Sequence, residues 1–287
     1  MMRRDQPLVS TRWVAEHLGA PGLVVLDASF VLPGGRPTAA ELYAQRHLPD
    51  AVFFDIDAVA DHGTPLPHML PTPEAFARMV GAMGIGNDTA VVVYDTPGLM
   101  SAGRAWWTLR AFGHDRVAVM DGGLKKWQAE GRPLTDRVPS PSPARFTPAF
   151  RPDLIRARDQ VRAALETGSA QVVDARSAAR FTGAEPEARP GLRSGHMPGA
   201  RNLPFGLLSN PETGEVLAPA AIRAAFSSAG IDPSRPIIAS CGSGVTAAAL
   251  AFGLHLIGAE ASVYDGAWAE WGQAGDTPVV TGGVPTS

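Results

Sequence analysis

The strongest constraint on how this chain can fold is that its two halves repeat one another. Gln171-Val172-Val173-Asp174-Ala175-Arg176 answers the apolar run that ends in Leu26-Asp27-Ala28, and Gly195-His196-Met197-Pro198-Gly199-Ala200 answers Arg46-His47-Leu48-Pro49-Asp50-Ala51. Further on, residues 237–241 answer 91–95, Tyr264-Asp265-Gly266-Ala267-Trp268 answers Met120-Asp121-Gly122-Gly123-Leu124, and Trp271 answers Trp127. The matched markers lie 144 to 149 residues apart, and such near-constant spacing marks a duplication. Each half must therefore build the same unit.

Within the first half, short apolar runs at 23–27, 52–57, 90–95 and 117–120 alternate with helix-like stretches at 13–18, 74–83, 101–112 and 124–129. Ser10 stands where a helix cap belongs and Gly19 where that helix stops. Alternation of this kind predicts an α/β fold in which a mainly parallel sheet is flanked by helices. A length of 287 residues accommodates two such domains. We place them at 8–134 and 153–282, joined by a Pro/Ser-rich linker at 135–152 that should run extended and semi-rigid.

Charge and composition narrow the function. A formal net charge of −3 leaves no electrostatic footprint for nucleic acid. No apolar run approaches the roughly 20 residues of a membrane span. The start, Met1-Met2-Arg3-Arg4-Asp5-Gln6-Pro7, has basic residues without an apolar region behind them, so no secretory signal is read there. One cysteine permits no internal disulfide and suits a reducing compartment. A cytoplasmic protein with small-molecule chemistry is the expectation.

That cysteine is the chemical centre of the sequence. Ile237-Ile238-Ala239-Ser240 delivers Cys241 into Gly242-Ser243-Gly244-Val245-Thr246, and the helix-forming run Ala247-Ala248-Ala249-Leu250 follows at once. A helix start leaves amide N–H groups without partners and carries partial positive charge, which favours a thiolate over a thiol. Glycines on both sides of Ser243 let successive amides turn inward around an anion on the sulfur. A lone cysteine is ordinarily a buried, inert one; strand, thiol, glycine-rich loop and helix in succession point to a nucleophile.

Cys241-Gly242-Ser243-Gly244-Val245-Thr246 resembles the active loop of the mercaptopyruvate sulfurtransferases of the rhodanese superfamily, and the duplicated architecture is similar to that family's two-domain members. The resemblance implies two tandem rhodanese-like domains. It also implies transfer of sulfur from 3-mercaptopyruvate, through a persulfide on Cys241, to cyanide, a small thiol or a thioredoxin-like dithiol. No cofactor is implied, and the histidines lack metal-ligand spacing. Arg180 and Arg189 match the substrate-holding arginines, with Gly242, Gly244, Val245 and Thr246 forming the loop around the substrate. Asp57, His68 and Ser243 match a catalytic relay. Cys241 falls opposite Asp95, and a carboxylate cannot carry sulfane sulfur, so the first domain should be silent. His47 and His196, like Asp27 and Asp174, recur in both halves, which suits a structural role.

Three other readings stand beside this one. Thiosulfate is an alternative donor, although its specific sulfurtransferases carry basic side chains where this chain has Gly242 and Ser243. A cysteine phosphatase needs an arginine at the helix start, where Ala247 stands. A non-catalytic binding module would ordinarily have lost the cysteine.

Overall fold

The computed structural model describes residues 6–32 and 34–283; most of the segment read for a secretory signal lies outside them. Two compact units emerge. The first comprises Met1–His62, Leu70–Arg151 and Ser209–Val216, and the second Gly63–Met69, Pro152–Leu208 and Leu217–Ser287. Each unit therefore contains one short segment from the opposite half of the chain.

In the first unit the elements follow as β1 (Leu8–Val9), α1 (Thr11–His17), β2 (Leu23–Asp27), α2 (Ala39–Gln45), β3 (Val52–Phe53), α3 (Pro73–Ala82), β4 (Ala90–Tyr94), α4 (Ala102–Ala111), β5 (Val117–Met120) and α5 (Gly123–Ala129). The strands form one sheet in the order β1-β5-β4-β2-β3, and every pairing is parallel. Central β4, Ala-Val-Val-Val-Tyr, is buried along its whole length, as an unbroken apolar run in a sheet covered on both faces should be. Ser10 accepts the Trp13 N–H, as its cap position requires. The strand expected over 52–57 stops at Phe53, because the Asp55 carboxylate accepts the N–H groups of Asp57 and Ala58 and turns the chain.

The second unit repeats the plan: β6 (Ile155–Arg156), α6 (Arg158–Thr167), β7 (Gln171–Asp174), α7 (Ala178–Thr182), β8 (Arg201–Asn202), α8 (Pro219–Ser228), β9 (Ile237–Ser240), α9 (Ala247–Leu256), β10 (Ala261–Tyr264) and α10 (Ala267–Trp271). Its all-parallel sheet runs β6-β10-β9-β7-β8, strand for strand the order of the first. Matching anchors hold the two cores. Trp127 Nε1 donates to the Pro133 carbonyl and Trp271 Nε1 to that of Pro278, each at 2.8 Å. His47 stacks on Tyr43 and bonds its carbonyl; His196 does the same with Phe181. The recurring histidines thus have one structural job in each copy.

Residues of the Pro/Ser-rich stretch pack on the first unit. Ala144 N donates to Gly81 O, Ala149 N to Phe112 O and Arg151 N to Ala111 O, while Phe146 lies edge-on to Phe76. The segment is extended, and it is held by backbone hydrogen bonds from Ala144 to Arg151.

Candidate active site

Parallel sheets carry their sites beyond the carboxyl ends of the strands, and β9 ends at Ser240 with Cys241 next. The cysteine forms no disulfide and is 2% exposed. Two amides at the start of α10 pin the loop from behind: Trp268 N donates to Cys241 O and Ala269 N to Gly242 O, both at 2.9 Å. These two carbonyls are thereby turned toward α10, while the Ser243 carbonyl is met by His68. Gly244, at φ +79°, permits the turn. Thr246 leads into α9 without a side-chain cap, so the helix start is not closed by its own residue.

The counterpart loop of the first unit shows what such a loop holds. Asp95 stands in the cysteine's place, fully buried, and its carbonyl and that of Thr96 are pinned by Leu124 N and Lys125 N. Its Oδ1 accepts the Gly98 N–H at 2.7 Å; its Oδ2 accepts those of Met100, Ser101 and Ala102 at 2.7, 2.7 and 2.8 Å. Four amides converge on one anion, and the corresponding positions in the second unit are Gly244, Thr246, Ala247 and Ala248. A carboxylate oxygen lies two bonds beyond Cβ, as does the outer sulfur of a cysteine persulfide.

Beside the loop lies a charged network rooted in β7. Arg176, on the strand's exit, donates through Nε and Nη2 to Asp174 at 2.7 to 3.1 Å, through Nη2 to Gly195 O at 2.9 Å, and through Nη1 to Glu187 Oε1 at 2.6 Å. Its guanidinium lies over the Trp268 ring, 4.2 Å from the centroid. Burial opposes its charge, but Asp174 and Glu187 outweigh burial and raise its pKa above the ordinary value. The other Glu187 oxygen accepts from Arg180 Nη2. Arg180, on α7, reaches the cysteine loop: a Cβ added to Gly242 would lie 2.9 Å from its Nη2. Arg180 Nε is buried with no acceptor among the described residues, and a buried donor left open in this way points to a ligand.

The remaining sequence candidates are placed as follows. Val245 is buried and Thr246 half-buried in the loop. Arg189 lies half-buried in the segment after α7. His68, in Gly63–Met69 of the second unit, is 4% exposed and holds φ +61°. Its Nδ1 donates to the Ser243 carbonyl at 3.2 Å, which brings these two residues together. Asp57 belongs to the first unit, in the turn that ends β3. Sequence reasoning passed over Arg176 and Glu187 and set Asp174 aside as structural. The signal available was an Asp-x-Arg at a strand end followed by a glutamate in a segment rich in arginines.

Two rhodanese-like domain matches, over residues 10–130 and 157–274, cover most of the chain, and the chain belongs to the rhodanese family. Human 3-mercaptopyruvate sulfurtransferase is 44% identical over 271 residues, covering 92% of this chain and 91% of the human protein. Thiosulfate sulfurtransferase of Bos taurus is 43% identical over 272 residues, with 92% and 91% covered. The crystal structure of SseA from Escherichia coli, a 3-mercaptopyruvate sulfotransferase, superposes with a TM-score of 0.83 at 40% identity, covering 92% of this chain and 99% of that one. Among the described residues no helix is long and apolar enough to cross a membrane.

Proposed function

We propose that this chain is a sulfurtransferase that takes the thiol sulfur of 3-mercaptopyruvate and hands it, as the outer (sulfane) sulfur of a persulfide on Cys241, to cyanide or a thiol acceptor. The observation that carries the reading is a buried, unbridged Cys241 in a loop whose carbonyls are pinned from behind, with the guanidinium of Arg180 held alongside. The Cys241 thiolate attacks the donor sulfur. The carbon–sulfur bond breaks, its electron pair passes to the enolate of pyruvate, and a proton completes that product, leaving Cys241–S–SH. Amides of Gly244, Thr246, Ala247 and Ala248 hold the outer sulfur as their counterparts hold Asp95. Arg180 takes the donor's carboxylate through the Nε–H that no protein acceptor uses, and Arg189 supplies a second guanidinium. His68, seated on the Ser243 carbonyl, serves the proton transfer, with Asp57 and Ser243 completing the relay. The acceptor nucleophile then removes the outer sulfur in a second displacement.

Gly242 and Ser243 put no cation in the positions following the nucleophile, which favours a monoanionic keto-acid over the thiosulfate dianion. The test is direct. Wild-type protein treated with 3-mercaptopyruvate gains one sulfur atom at Cys241 by mass spectrometry and releases thiocyanate with cyanide; Cys241→Ser does neither. Equal thiocyanate from the mutant refutes the covalent route, and a higher kcat/KM for thiosulfate with a common acceptor refutes the donor assignment.

A further inference from the structure

We infer that Glu187 is the positioning residue for Arg180, fixing that guanidinium against the cysteine loop; the inference rests on the sulfurtransferase reading above. Glu187 has its side chain 2% exposed, and each of its oxygens takes a different guanidinium, Arg176 on one side and Arg180 on the other. Arg176 cannot move to follow it. Asp174, the Gly195 carbonyl and the Trp268 ring fix it from three directions. Glu187 is thus an anchored carboxylate with one arm left for Arg180, whose own side chain is a quarter exposed. Long, partly solvated arginines otherwise spread over many rotamers, and ordering them at binding weakens affinity.

The silent copy indicates that this relay is not needed to make the fold. Position 29 there is serine where the second unit has Arg176, and Ser29 N donates to Asp27 at 2.9 Å. With no cation in that place, the same five-stranded parallel order forms, and burial raises the Asp27 carboxyl above its usual range. Among the described residues, the guanidinium–carboxylate–guanidinium chain that rests on Asp174 lies beside the copy that has a thiol, and the position of Arg176 is Ser29 in the other.

Glutamine at 187 keeps the shape but has one acceptor oxygen, so it must turn an NH2 toward a guanidinium that can only donate. Arg176 has other acceptors, whereas among the described residues Glu187 is the one acceptor of the Arg180 guanidinium, so Arg180 is the partner released. Losing an ordered, charge-assisted contact that serves substrate and transition state alike raises KM and spares kcat. For Glu187→Gln the expected result is a KM for 3-mercaptopyruvate raised about tenfold or more, with kcat within about twofold. In the double variant with Arg180→Ala, KM should equal that of Arg180→Ala alone, because one residue acts through the other. A purely structural role would lower the melting temperature and the active fraction without this KM split or this non-additivity. Should Glu187→Gln not fold, Glu187→Asp retains the charge and falls short of bridging both partners, and a smaller rise in KM alone is expected. Wild-type KM in whichever variant folds, or additive effects in the double variant, overturns the inference while the clamp stands. If Arg180→Ala itself leaves KM unchanged, the clamp in the proposed function fails, and the role of Glu187 fails with it.

Discussion

Asp95→Asn tests whether the Asp95 loop is a true anion nest. The carboxylate takes one amide on Oδ1 and three on Oδ2, all within 2.8 Å, and the residue is fully buried. Asparagine has one acceptor oxygen. In its better orientation it keeps the three amides of Met100, Ser101 and Ala102 and opposes its NH2 to the Gly98 N–H. One charge-assisted bond is then lost outright, a loss of about 1.5–3 kcal/mol. The other three fall to neutral strength, roughly half of a charged bond each, and the anion at the start of α4 disappears. Together these weaken the first unit by about 4–7 kcal/mol. Urea unfolding followed by tryptophan fluorescence reads this, since Trp13, Trp106, Trp107 and Trp127 report on that unit. Sulfur transfer per folded molecule should stay at the wild-type level, because Cys241, the proposed nucleophile, belongs to the second unit. Asp95→Gly empties the nest, and formate should then restore part of the lost stability. A loss below about 1 kcal/mol in Asp95→Asn would refute the reasoning: the amides would not need a charge.

Two further outcomes follow from the same geometry. His114 is 2% exposed, its Nε2 meets no acceptor among the described residues, and burial pushes its pKa down to about 4 against the opposing pull of the Asp115 carboxylate. A folded pKa below the unfolded value near 6.5 gives stability that is present above 6.5 and lost as pH falls through 4, about 2 kcal/mol by pH 5; His114→Phe should flatten that part of the acid slope in urea midpoints, and an unchanged slope would assign acid sensitivity to another group. Gly242→Ala places a methyl 2.9 Å from Arg180 Nη2, so the guanidinium must shift; KM for 3-mercaptopyruvate should rise several-fold with the melting temperature unchanged, and wild-type kinetics would mean that Arg180 adapts without consequence.

The parts of this protein that could be read from its sequence are those whose signals are local. A run such as Ala90–Tyr94 can only be a covered strand, Ser10 and Gly19 punctuate a helix by their own chemistry, and the repeat transfers each such reading to the other half. The cysteine loop was legible for the same reason, since strand, glycines and helix are consecutive. What was hidden depends on contacts between distant residues. Nothing in the composition of 63–69 or 209–216 says that each belongs to the unit opposite its own half. The Pro/Ser-rich stretch looks like a spacer, yet small side chains are what let Ala144 and Ala149 pass close over Gly81 and Gly113. Glu187 lies eleven residues past Arg176, with the one helix between them, Ala178–Thr182, reaching neither, and only folding makes the two ends of that interval touch.

The two copies also separate what holds the loop from what reacts in it. In both, the first amides of a short helix seat the carbonyl of residue 95 or 241 and of the residue after it. The backbone that aims those amides takes a left-handed turn, at Gly123 with φ +55° and at Ala267 with φ +49°. Glycine adopts that conformation without penalty, whereas an alanine there is strained by about 1–2 kcal/mol. Ala267 is fully buried directly before Trp268, whose N–H meets Cys241 O and whose ring lies under Arg176. The second unit thus bears backbone strain at the joint between its cysteine loop and its charged network. The carbonyl pins of the loop are common to both copies and are made by main-chain bonds. Chemistry enters through a handful of substitutions on that shared frame: aspartate to cysteine within the nest, and serine to arginine at the end of the neighbouring strand.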